Sequence, residues 1–589
     1  MPSAASAVAD APFGHVCTPQ NGVRFCPTSN DAQRIASFDG VPLDADVTLP
    51  ATGNGPFPTI VILHGFPGSK TSFEASAPEG VASSTQTYHY NNTYFAQQGY
   101  AVLTYSARGF GRSCGASASR TAPACDRGWF HFADQRYEVH DTQFLLSRLV
   151  DDGVTDPTKI GVTGTSYGGG QSMQLGFLKN RIRNVNGGYA PWTSPGGKSL
   201  QVAAAWPRWG WSDFIDAVAP NGRFLDYKLG GNNQSIAPLG VAKKSVVDAL
   251  YIGGLAVGFL SPQGADPTAD LKTWHDLFFA GEPYKSDVLS VAKQFLQFKS
   301  VAGITGKPSP LLIMNGWTDP VFGASQGLRP YNRVRKSTPG FPVSLQLADI
   351  GHFRTGNALG VYKRFNDDGA AFFARYVKGG TGGPAPGSVT VFGQGCPKGT
   401  IGAGPIVAPS WSKLARGSVR LGLKQKQILT ASGGNSQTGT AFNPVTNGDP
   451  CSNVSSEPPT AGTAVLSRNS KGFTLAGLGT ISATIKAKGS FGQIDARLFD
   501  VAGGTQRLID SAAYRVKPGQ KGKIRFQLFG NTYKFAKGHA LKLELLGRNE
   551  PSFLADKGFK VAISKIRADL PTREKPSRKL GIGKKPKLK

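Results

Sequence analysis

Five short apolar runs, spaced by helix-like segments, are the feature of this chain that most limits its possible folds. Runs such as Thr59–Leu63 and Leu311–Met314 are too continuously apolar to have one face in water, which is typical of buried parallel strands. Between the second and third runs, Tyr137–Val150 carries apolar residues at helical spacing and ends at Asp151-Asp152-Gly153. Strands that alternate with helices predict the α/β class. The runs are Thr59–Leu63, Ala101–Tyr105, Lys159–Val162, Leu311–Met314 and Val343–Leu347.

The alternation of strands and helices is interrupted at two places, which indicates an inserted segment and a second domain. Residues from about 189 to 306 are rich in Trp, Pro and Gly and lie between two predicted strands, which indicates a cap inserted into the first domain. A Gly- and Pro-rich linker, KGGTGGPAPGS, then predicts a domain boundary near residue 383. With 589 residues the chain exceeds the size that one hydrophobic core supports, so several domains are expected.

Beyond that boundary, short alternating strands separated by turn residues predict a β-sandwich of the jelly-roll type, without a long helix. The predicted strands include Gly479–Lys488, Gln493–Val501, Gly522–Leu528 and Ala540–Leu546. We therefore expect an α/β domain with its cap over residues 1–382, a β-sandwich over 383–570 and a tail over 571–589.

Positive charge is concentrated in the C-terminal third of the chain. Residues 381–589 hold 33 Lys and Arg against 10 Asp and Glu, so this third supplies most of the formal charge of +29. The tail, rich in Lys, Pro and Gly, is expected to be solvated and disordered. A polyanionic surface is one possible partner of this third, and a purely solubilising role is the other. Nucleic-acid recognition is not expected, because no known nucleic-acid-binding motif accompanies the charge.

The cysteines point to an oxidising compartment. Their even number and close spacing favour three disulfides over a zinc site, since no C-x-x-C and no helically spaced His pair is present. We expect a secreted protein, although MPSAASAVADAPFGH lacks the basic and apolar regions of a signal peptide. No apolar run reaches the length of a transmembrane helix. The expected pairs are Cys17 with Cys26, Cys114 with Cys125, and Cys396 with Cys451.

Three serines lie in a G-x-S-x-G pattern, so the pattern alone selects none of them. A nucleophile elbow needs a strand directly before the serine and a helix directly after it. Only Ser166 has both, because an apolar run precedes it and Gly168-Gly169-Gly170 opens a helix-like segment. Ser113 lies beside a predicted disulfide cysteine and Ser325 follows a proline turn, so both are interpreted as structural.

A serine nucleophile needs an imidazole base and a carboxylate that orients it, and in this fold they follow in the order Ser, acid, His. His352 lies just past the fifth apolar run, where the base is expected, whereas His539 lies in the predicted second domain. Asp319 follows the fourth run and is the preferred acid. Asp349 is the alternative, but it would have to fold back on the loop of His352.

The negative oxygen of a tetrahedral intermediate needs two hydrogen-bond donors. The backbone N–H of Tyr167, directly after the serine, is the expected first donor. The second is expected from the loop ILHGFPGSK after the first strand, where Phe66 can offer its backbone N–H. His64 in this loop precedes the serine in sequence and is interpreted as structural.

Four segments of the chain together carry a resemblance: Gly164-Thr165-Ser166-Tyr167-Gly168, Asn315-Gly316-Trp317-Thr318-Asp319, Gly351-His352 and the C-terminal stretch from ARLFDVAGG to HALKLEL. These segments resemble the cocaine esterase and X-prolyl dipeptidyl peptidase family. The resemblance covers roughly residues 35–570. It implies an α/β-hydrolase with a helical cap, followed by a galactose-binding-like jelly roll, and acyl transfer to water without metal or organic cofactor. The best-known members place a tyrosine hydroxyl in the oxyanion hole, whereas this chain has Phe66 in that loop.

We therefore expect a serine hydrolase of esters or amides, with an esterase as the first choice. The small-molecule substrate would be an ester or a short peptide. An X-Pro dipeptidyl peptidase is the alternative, and it would need a cap carboxylate such as Asp213 or Asp216 to hold the free amine of its substrate. The third possibility is an inactive hydrolase-fold protein that binds an anionic cell surface through its basic third.

Overall fold

The computed structural model describes residues 11–75, 85–227, 239–257, 260–446 and 448–586. The start of the chain, on which the signal-peptide expectation rests, lies mostly outside these residues. Two sheet systems organise the described part. In the first, seven parallel strands form the centre of an 11-stranded sheet, flanked by antiparallel strands at both edges. The predicted α/β class is thus confirmed.

The strands of the first part are β1 (Thr18–Gln20), β2 (Val23–Cys26), β3 (Ile35–Ala36), β4 (Pro42–Leu43), β5 (Ala45–Leu49), β6 (Phe57–Leu63), β7 (Ala101–Tyr105), β8 (Thr155–Thr165), β9 (Arg181–Arg183), β10 (Tyr189–Pro191), β11 (Val202–Arg208), β12 (Leu311–Gly316), β13 (Val343–Ala348), β14 (Val389–Val391) and β15 (Ile406–Ala408). The large sheet has the order β1-β2-β5-β7-β6-β8-β11-β12-β13-β14-β15, while β3 pairs with β4 and β9 with β10.

The helices are α1 (Asn92–Gln97), α2 (Glu138–Asp151), α3 (Tyr167–Leu178), α4 (Phe214–Val218), α5 (Lys244–Ala256), α6 (Leu271–Phe279), α7 (Ser286–Phe298), α8 (Ala324–Ser337), α9 (Leu359–Lys378), α10 (Trp411–Leu414) and α11 (Ser436–Ala441). Short 3-10 helices span Pro12–Gly14, Asp31–Gln33, Lys70–Phe73, Ser117–Ser119, Pro123–Arg127 and Pro444–Thr446. No helix of the described residues is both long and apolar enough to cross a bilayer.

Both faces of the central strands are buried, which explains their continuous hydrophobicity. In β6, Val61 and Leu63 belong to one core cluster with residues of α2 and α3. Ile60 and Ile62 point to the other face and cluster with residues of α1 and α9. Helices therefore cover the sheet on both sides and leave its carboxyl edge for loops.

The predicted cap boundaries are wrong at their start, because the range 189–306 contains a strand of the sheet. Strand β11 lies between β8 and β12, and the insertion follows it. The sequence VAAAWPR concealed this strand, because alanine and proline are uncommon in central strands. Helices α4 to α7 form the insertion between β11 and β12, and residues 228–238 and 258–259 within it lie outside the description.

The second part is antiparallel and contains β16 (Gly417–Leu423), β17 (Gln427–Thr430), β18 (Asn453–Ser455), β19 (Ala464–Gly477), β20 (Thr480–Gly489), β21 (Gly492–Ala502), β22 (Thr505–Val516), β23 (Lys521–Gln527), β24 (Asn531–Leu546) and β25 (Phe559–Thr572). One layer has the strand order β18-β22-β21-β24-β19. In the other layer, β16 and β17 both pair with one side of β25. Strand β20 pairs with the other side of β25, and β23 pairs with β20. Apolar side chains of both layers share one core, as a β-sandwich requires.

The first sheet extends past residue 383, where the linker predicts a boundary. Strands β14 and β15 follow that linker and pair with β13 and with each other. A Gly- and Pro-rich stretch can connect two elements of one domain as well as two domains, and here it connects α9 to β14. The disulfide between Cys396 and Cys451 then joins the loop after β14 to the residues before β18.

All three expected disulfides are present, pairing Cys17 with Cys26, Cys114 with Cys125 and Cys396 with Cys451.

The prediction of a disordered tail over residues 571–589 is wrong for the part that the structure describes. Ser418 and Gly583 exchange backbone hydrogen bonds of 3.0 and 2.8 Å. Ile582 is 4% exposed and belongs to the sandwich core. The surrounding lysines concealed this single apolar side chain. The amino-acid composition of the tail indicates only that most of its residues are solvated, and it does not show that one side chain is buried. Residues 587–589 lie outside the described residues.

Truncating this anchor tests whether the tail is part of the fold. Replacing Ile582 by alanine is expected to lower the free energy of unfolding of the β-sandwich by about 2–5 kcal/mol, because a buried side chain leaves a cavity. Urea titration measures the change, with Lys584→Ala at an exposed neighbouring position as the control. Equal stability of the two variants would mean that the tail does not pack on the sandwich.

Candidate active site

Ser166 occupies a strained turn between β8 and α3. Its φ and ψ are 56° and −111°, a conformation that a non-glycine residue adopts only when its surroundings impose it. The backbone N–H of Ser166 donates to the carbonyl oxygen of Arg208, at the end of β11, over 3.0 Å. The neighbouring strand therefore holds the turn that carries the serine.

Helix α3 can start here only because Gly168 has no side chain. A Cβ atom at this position would lie 2.2 Å from the carbonyl oxygen of Leu63 in β6. The N–H of Gly168 instead donates to the carbonyl oxygen of His64 over 2.9 Å. The glycine thus lets the helix approach the end of β6, as the elbow interpretation predicts.

The structure brings the three predicted side chains of Ser166, His352 and Asp319 together. His352 Nε2 lies 2.6 Å from Ser166 Oγ, and His352 Nδ1 lies 2.8 Å from Asp319 Oδ2. The side chain of Asp319 is completely buried, and that of His352 is 15% exposed. The hydroxyl, imidazole and carboxylate therefore form one continuous hydrogen-bonded line that ends at the hydroxyl of Ser166.

Backbone groups fix the carboxylate of Asp319. Its Oδ1 accepts hydrogen bonds from the N–H groups of Val321 and Phe322, at 2.8 and 3.0 Å. Its Oδ2 accepts from the imidazole and, at 3.3 Å, from the backbone N–H of His352. A carboxylate with four donors has little freedom to turn away from the imidazole, which it thereby orients.

A half-buried lysine of the insertion supports the loop that carries Asp319. Lys243 donates from Nζ to the carbonyl oxygens of Pro320, at 2.8 Å, and Val321, at 3.3 Å. Burial lowers the pKa of Lys243 to about 8, although the nearby Asp319 and Asp216 favour its charged form. The insertion therefore contacts the acid loop directly, and no pattern in the sequence points to this lysine.

The alternative residues lie in structural roles. Asp349 accepts hydrogen bonds from Thr318 Oγ1 and from the N–H of Gly356, and burial raises its pKa. His539 pairs with Asp500 in the β-sandwich. Ser113 donates its hydroxyl proton to the carbonyl oxygen of Ser106, away from His352. Ser325 lines a separate cavity between the two parts of the chain.

The loop of His64, Gly65 and Phe66 passes beside the serine. A Cβ atom on Gly65 would lie 3.6 Å from the Cβ of Ser166, so this backbone passes close to the elbow. His64 Nε2 accepts from the N–H of Ala107 over 3.0 Å, which leaves Nδ1 to donate to the carbonyl oxygen of Gly65. Burial lowers the pKa of His64 to about 4, so this imidazole stays neutral and structural. Tyr167 begins α3, so its N–H has no acceptor within the helix.

An apolar cavity of about 150 Å³ opens above Ser166, between the sheet and the insertion. Phe66, Phe130 and Phe132 line it from the sheet side, together with Trp211 and Phe322. Its roof consists of residues of α4 to α7 that are mostly apolar, among them Phe214, Val247, Leu250, Trp274, Phe278 and Phe295, with Tyr251 and His275 as its polar members. Among the described residues, no Asp, Glu, Lys or Arg lines this cavity. Such a space suits an uncharged apolar group bonded to the carbon that the serine would attack.

The two cap carboxylates predicted as amine-binding candidates lie elsewhere. Asp213 caps α4 by accepting from the N–H of Asp216, and burial raises its pKa to about 6. Asp216 pairs with Arg329 at 2.7 Å. Neither residue lines the cavity above Ser166. Sequence reasoning could not place them, because the insertion has no regular pattern that fixes the direction of its side chains.

Comparison with known proteins supports the predicted resemblance. Residues 39–182, less than half of the chain but including Ser166, match the family model of the X-Pro dipeptidyl-peptidase (S15 family). No curated protein matches the chain. The family match supports an enzyme of the serine hydrolase class, of the esterase or X-Pro peptidase type.

Several solved structures share the fold across both parts of the chain. A CocE/NonD family hydrolase from Staphylococcus aureus has a TM-score of 0.58 at 13% identity, over 93% of each chain. An aminopeptidase from a marine sediment archaeon, Thaumarchaeota archaeon, has a TM-score of 0.56 at 13% identity, over 94% of this chain and 97% of its own. An alpha-amino acid ester hydrolase has a TM-score of 0.55 at 14% identity, over 97% of this chain and 98% of its own. These likenesses show an α/β-hydrolase fold followed by a β-sandwich.

Gly351 offers a test of the contact between Asp319 and His352. A Cβ atom at Gly351 would lie 2.2 Å from Asp319 Oδ2, so Gly351→Ala is expected to displace the carboxylate and lower the hydrolytic rate by about 10²-fold. Gly340→Ala is the matched control, because Gly340 also has a positive φ, but a Cβ atom there would have no heavy atom within 4 Å. Assaying ester hydrolysis by both folded variants distinguishes them, and equal rates would contradict the role of this contact.

Proposed function

We propose that this chain, which resembles the X-Pro dipeptidyl-peptidase family in its α/β domain, is a serine esterase that forms an acyl-enzyme at Ser166. In this proposal His352 is the general base and then the general acid, and Asp319 orients it. The single observation that carries the proposal is the hydrogen-bonded line from Ser166 through His352 to Asp319, which ends at the apolar cavity.

The geometry supports a two-step reaction. Ser166 Oγ attacks the carbonyl carbon of the ester while His352 Nε2 takes the hydroxyl proton, and Asp319 stabilises the resulting imidazolium. The tetrahedral intermediate collapses by breaking the bond to the alkoxy oxygen, which receives the proton from Nε2 and leaves as an alcohol. A water molecule then attacks the acyl-enzyme and loses its proton to His352. The bond between the acyl carbon and Ser166 Oγ breaks, Oγ takes that proton from Nε2, and the carboxylic acid is released.

The proposed donors to the negative oxygen are the backbone N–H groups of Tyr167 and Phe66. Tyr167 begins a helix, and the positive end of the helix dipole favours negative charge at this point. The Phe66 loop passes close to the elbow, since a Cβ atom on Gly65 would lie 3.6 Å from the Cβ of Ser166. The backbone N–H of Phe66 would replace the tyrosine hydroxyl of the best-known members of the family that this chain resembles.

The cavity favours an ester with an uncharged acyl group over an X-Pro dipeptide. A dipeptidyl peptidase must hold the charged free amine of its substrate, and a buried ammonium without a carboxylate is costly. None of the described residues that line the cavity carries a carboxylate, and Asp213 and Asp216 lie outside it. We infer that the acyl group enters the apolar cavity and that the alcohol leaves toward solvent.

We also infer that the protein works outside the cytosol, where three disulfides persist. This setting would bring its basic β-sandwich close to the anionic polymers of a cell surface. The hydrogen-bonded line at Ser166 argues against the inactive binding protein that the sequence leaves open.

Replacing Ser166 by alanine tests the nucleophile. We expect the variant to lose labelling by a fluorophosphonate probe and to lose about 10⁴-fold or more of its esterase rate, because no other group at the site can form the acyl-enzyme. Ser325→Ala is the matched control, since Ser325 lies in the same G-x-S-x-G pattern. Labelling that survives Ser166→Ala would overturn the assignment.

A series of p-nitrophenyl esters tests the acyl site. Each methylene added from acetyl toward hexanoyl is expected to raise kcat/KM by about 3-fold to 4-fold, because burying a methylene contributes about 0.8 kcal/mol. An ester of succinic acid, which carries a charged acyl group, is expected to react more slowly than the butanoyl ester. Higher kcat/KM on an Ala-Pro p-nitroanilide than on all of these esters would favour the peptidase instead.

A further inference from the structure

The outer face of one sandwich layer carries a set of exposed lysines, here called the basic sheet face. It consists of Lys486 and Lys488 on β20, Lys521 and Lys523 on β23, and Lys560 on β25. Alternate residues of these strands, such as Ile485 and Val561, point inward to the sandwich core. Since successive strand residues point to opposite faces, all five lysines lie on the solvent side of one layer.

The strand register places these charges next to each other. Lys486 is directly opposite Lys521, and Lys488 is directly opposite Lys560. Side chains at such positions are about 5 Å apart at Cβ, and like charges there destabilise a sheet. The repulsion between these charges is a cost to the folded chain, and an anionic partner would offset it.

The protein itself does not neutralise the basic sheet face. Among the described residues, none of its five lysines forms an ion pair, whereas many other basic residues of the chain do. The acid nearest in register, Asp569 on β25, pairs with Arg420 and Arg567. The five positive charges are therefore available to a ligand from outside.

The residues between the lysines indicate which chemical groups a ligand of this face would contact. Thr484 lies opposite both Lys523 and Ser564, and Ala562 lies opposite Lys486. These outward positions are small or hydroxyl-bearing and provide no aromatic ring on which a nucleic-acid base could stack. Ile428 on β17, opposite Ala562, is the exposed apolar side chain beside them, and one such residue is a weak membrane anchor.

The spacing of the charges suits an extended polymer. Neighbouring strands lie about 4.8 Å apart, and alternate residues of one strand about 6.7 Å apart, so the lysines form a flat grid of point charges. A linear chain with regularly repeated anionic groups can contact several lysines at once, while its hydroxyl groups can bond with Thr484 and Ser564.

We propose that the basic sheet face binds a linear, hydroxyl-rich polyanion, such as an acidic polysaccharide or a polyol phosphate, and thereby holds the enzyme on a surface that carries this polymer. The binding surface belongs to the β-sandwich and uses none of the residues proposed for catalysis. It therefore stands or falls independently of the esterase proposal.

Dextran sulfate is the probe, and neutral dextran, single-stranded DNA and phosphatidylglycerol vesicles are the comparisons. The test variant replaces Lys486, Lys488, Lys521 and Lys523 by glutamine. The control variant replaces four lysines that are exposed elsewhere, so that both variants have the same net charge: Lys285, Lys293, Lys336 and Lys398. Calorimetric titration at several NaCl concentrations gives Kd and its salt dependence.

We expect the native protein and the control variant to bind dextran sulfate and not dextran. The test variant is expected to lose at least about 10-fold in affinity. The slope of log Kd against log salt should fall by about 3, since each lost contact between a lysine and an anionic group removes roughly 0.7–0.9. Far-UV circular dichroism spectra and thermal unfolding midpoints that match those of the native protein show that both variants are folded.

Three results would overturn the proposal. Equal losses in the two variants would mean that net charge, and not this face, attracts the polymer. Tighter binding of vesicles than of dextran sulfate would identify a membrane surface instead. Tighter binding of single-stranded DNA would identify a nucleic acid.

Discussion

The proposed chemistry depends on one geometric constraint, which is that an alcohol, an imidazole and a carboxylate far apart in sequence must meet at one edge of a parallel sheet. Strands β8, β12 and β13 all end at this edge, and the loops after them carry Ser166, Asp319 and His352. Strand β11 lies between β8 and β12 and therefore sets the distance between the loops of the serine and the acid. Its last residue, Arg208, also accepts the hydrogen bond that holds the strained serine turn.

The insertion contributes to this site in two ways that the sheet alone does not provide. Its helices roof the apolar cavity, which we propose receives the acyl group. Through Lys243 it also contacts the carbonyl oxygens beside Asp319, and the ammonium of Lys243 lies 5.3 Å from the ring centre of Phe529 in the sandwich. Lys243 therefore connects the insertion, the acid loop and the second domain at a single point.

The sequence was sufficient for the fold class and for the meeting of Ser166, Asp319 and His352, because apolar strands and their following loops have strong local patterns. It missed β11, whose alanines and proline carry no strand signal, and it missed the buried anchor of the tail, Ile582, among lysines. The orientation of the insertion was also beyond reach, since packing between distant segments decides whether Asp213 or Phe278 faces the cavity. The basic sheet face needed the strand register, which composition does not contain.

The most direct measurement is a crystal structure of the protein after inactivation by a p-nitrophenyl alkylphosphonate. The account predicts phosphorus bonded to Ser166 Oγ, a phosphoryl oxygen within hydrogen-bond distance of the N–H groups of Tyr167 and Phe66, and the alkyl chain inside the apolar cavity. Phosphorus on another residue, or an alkyl chain that points to solvent with the cavity empty, would contradict it.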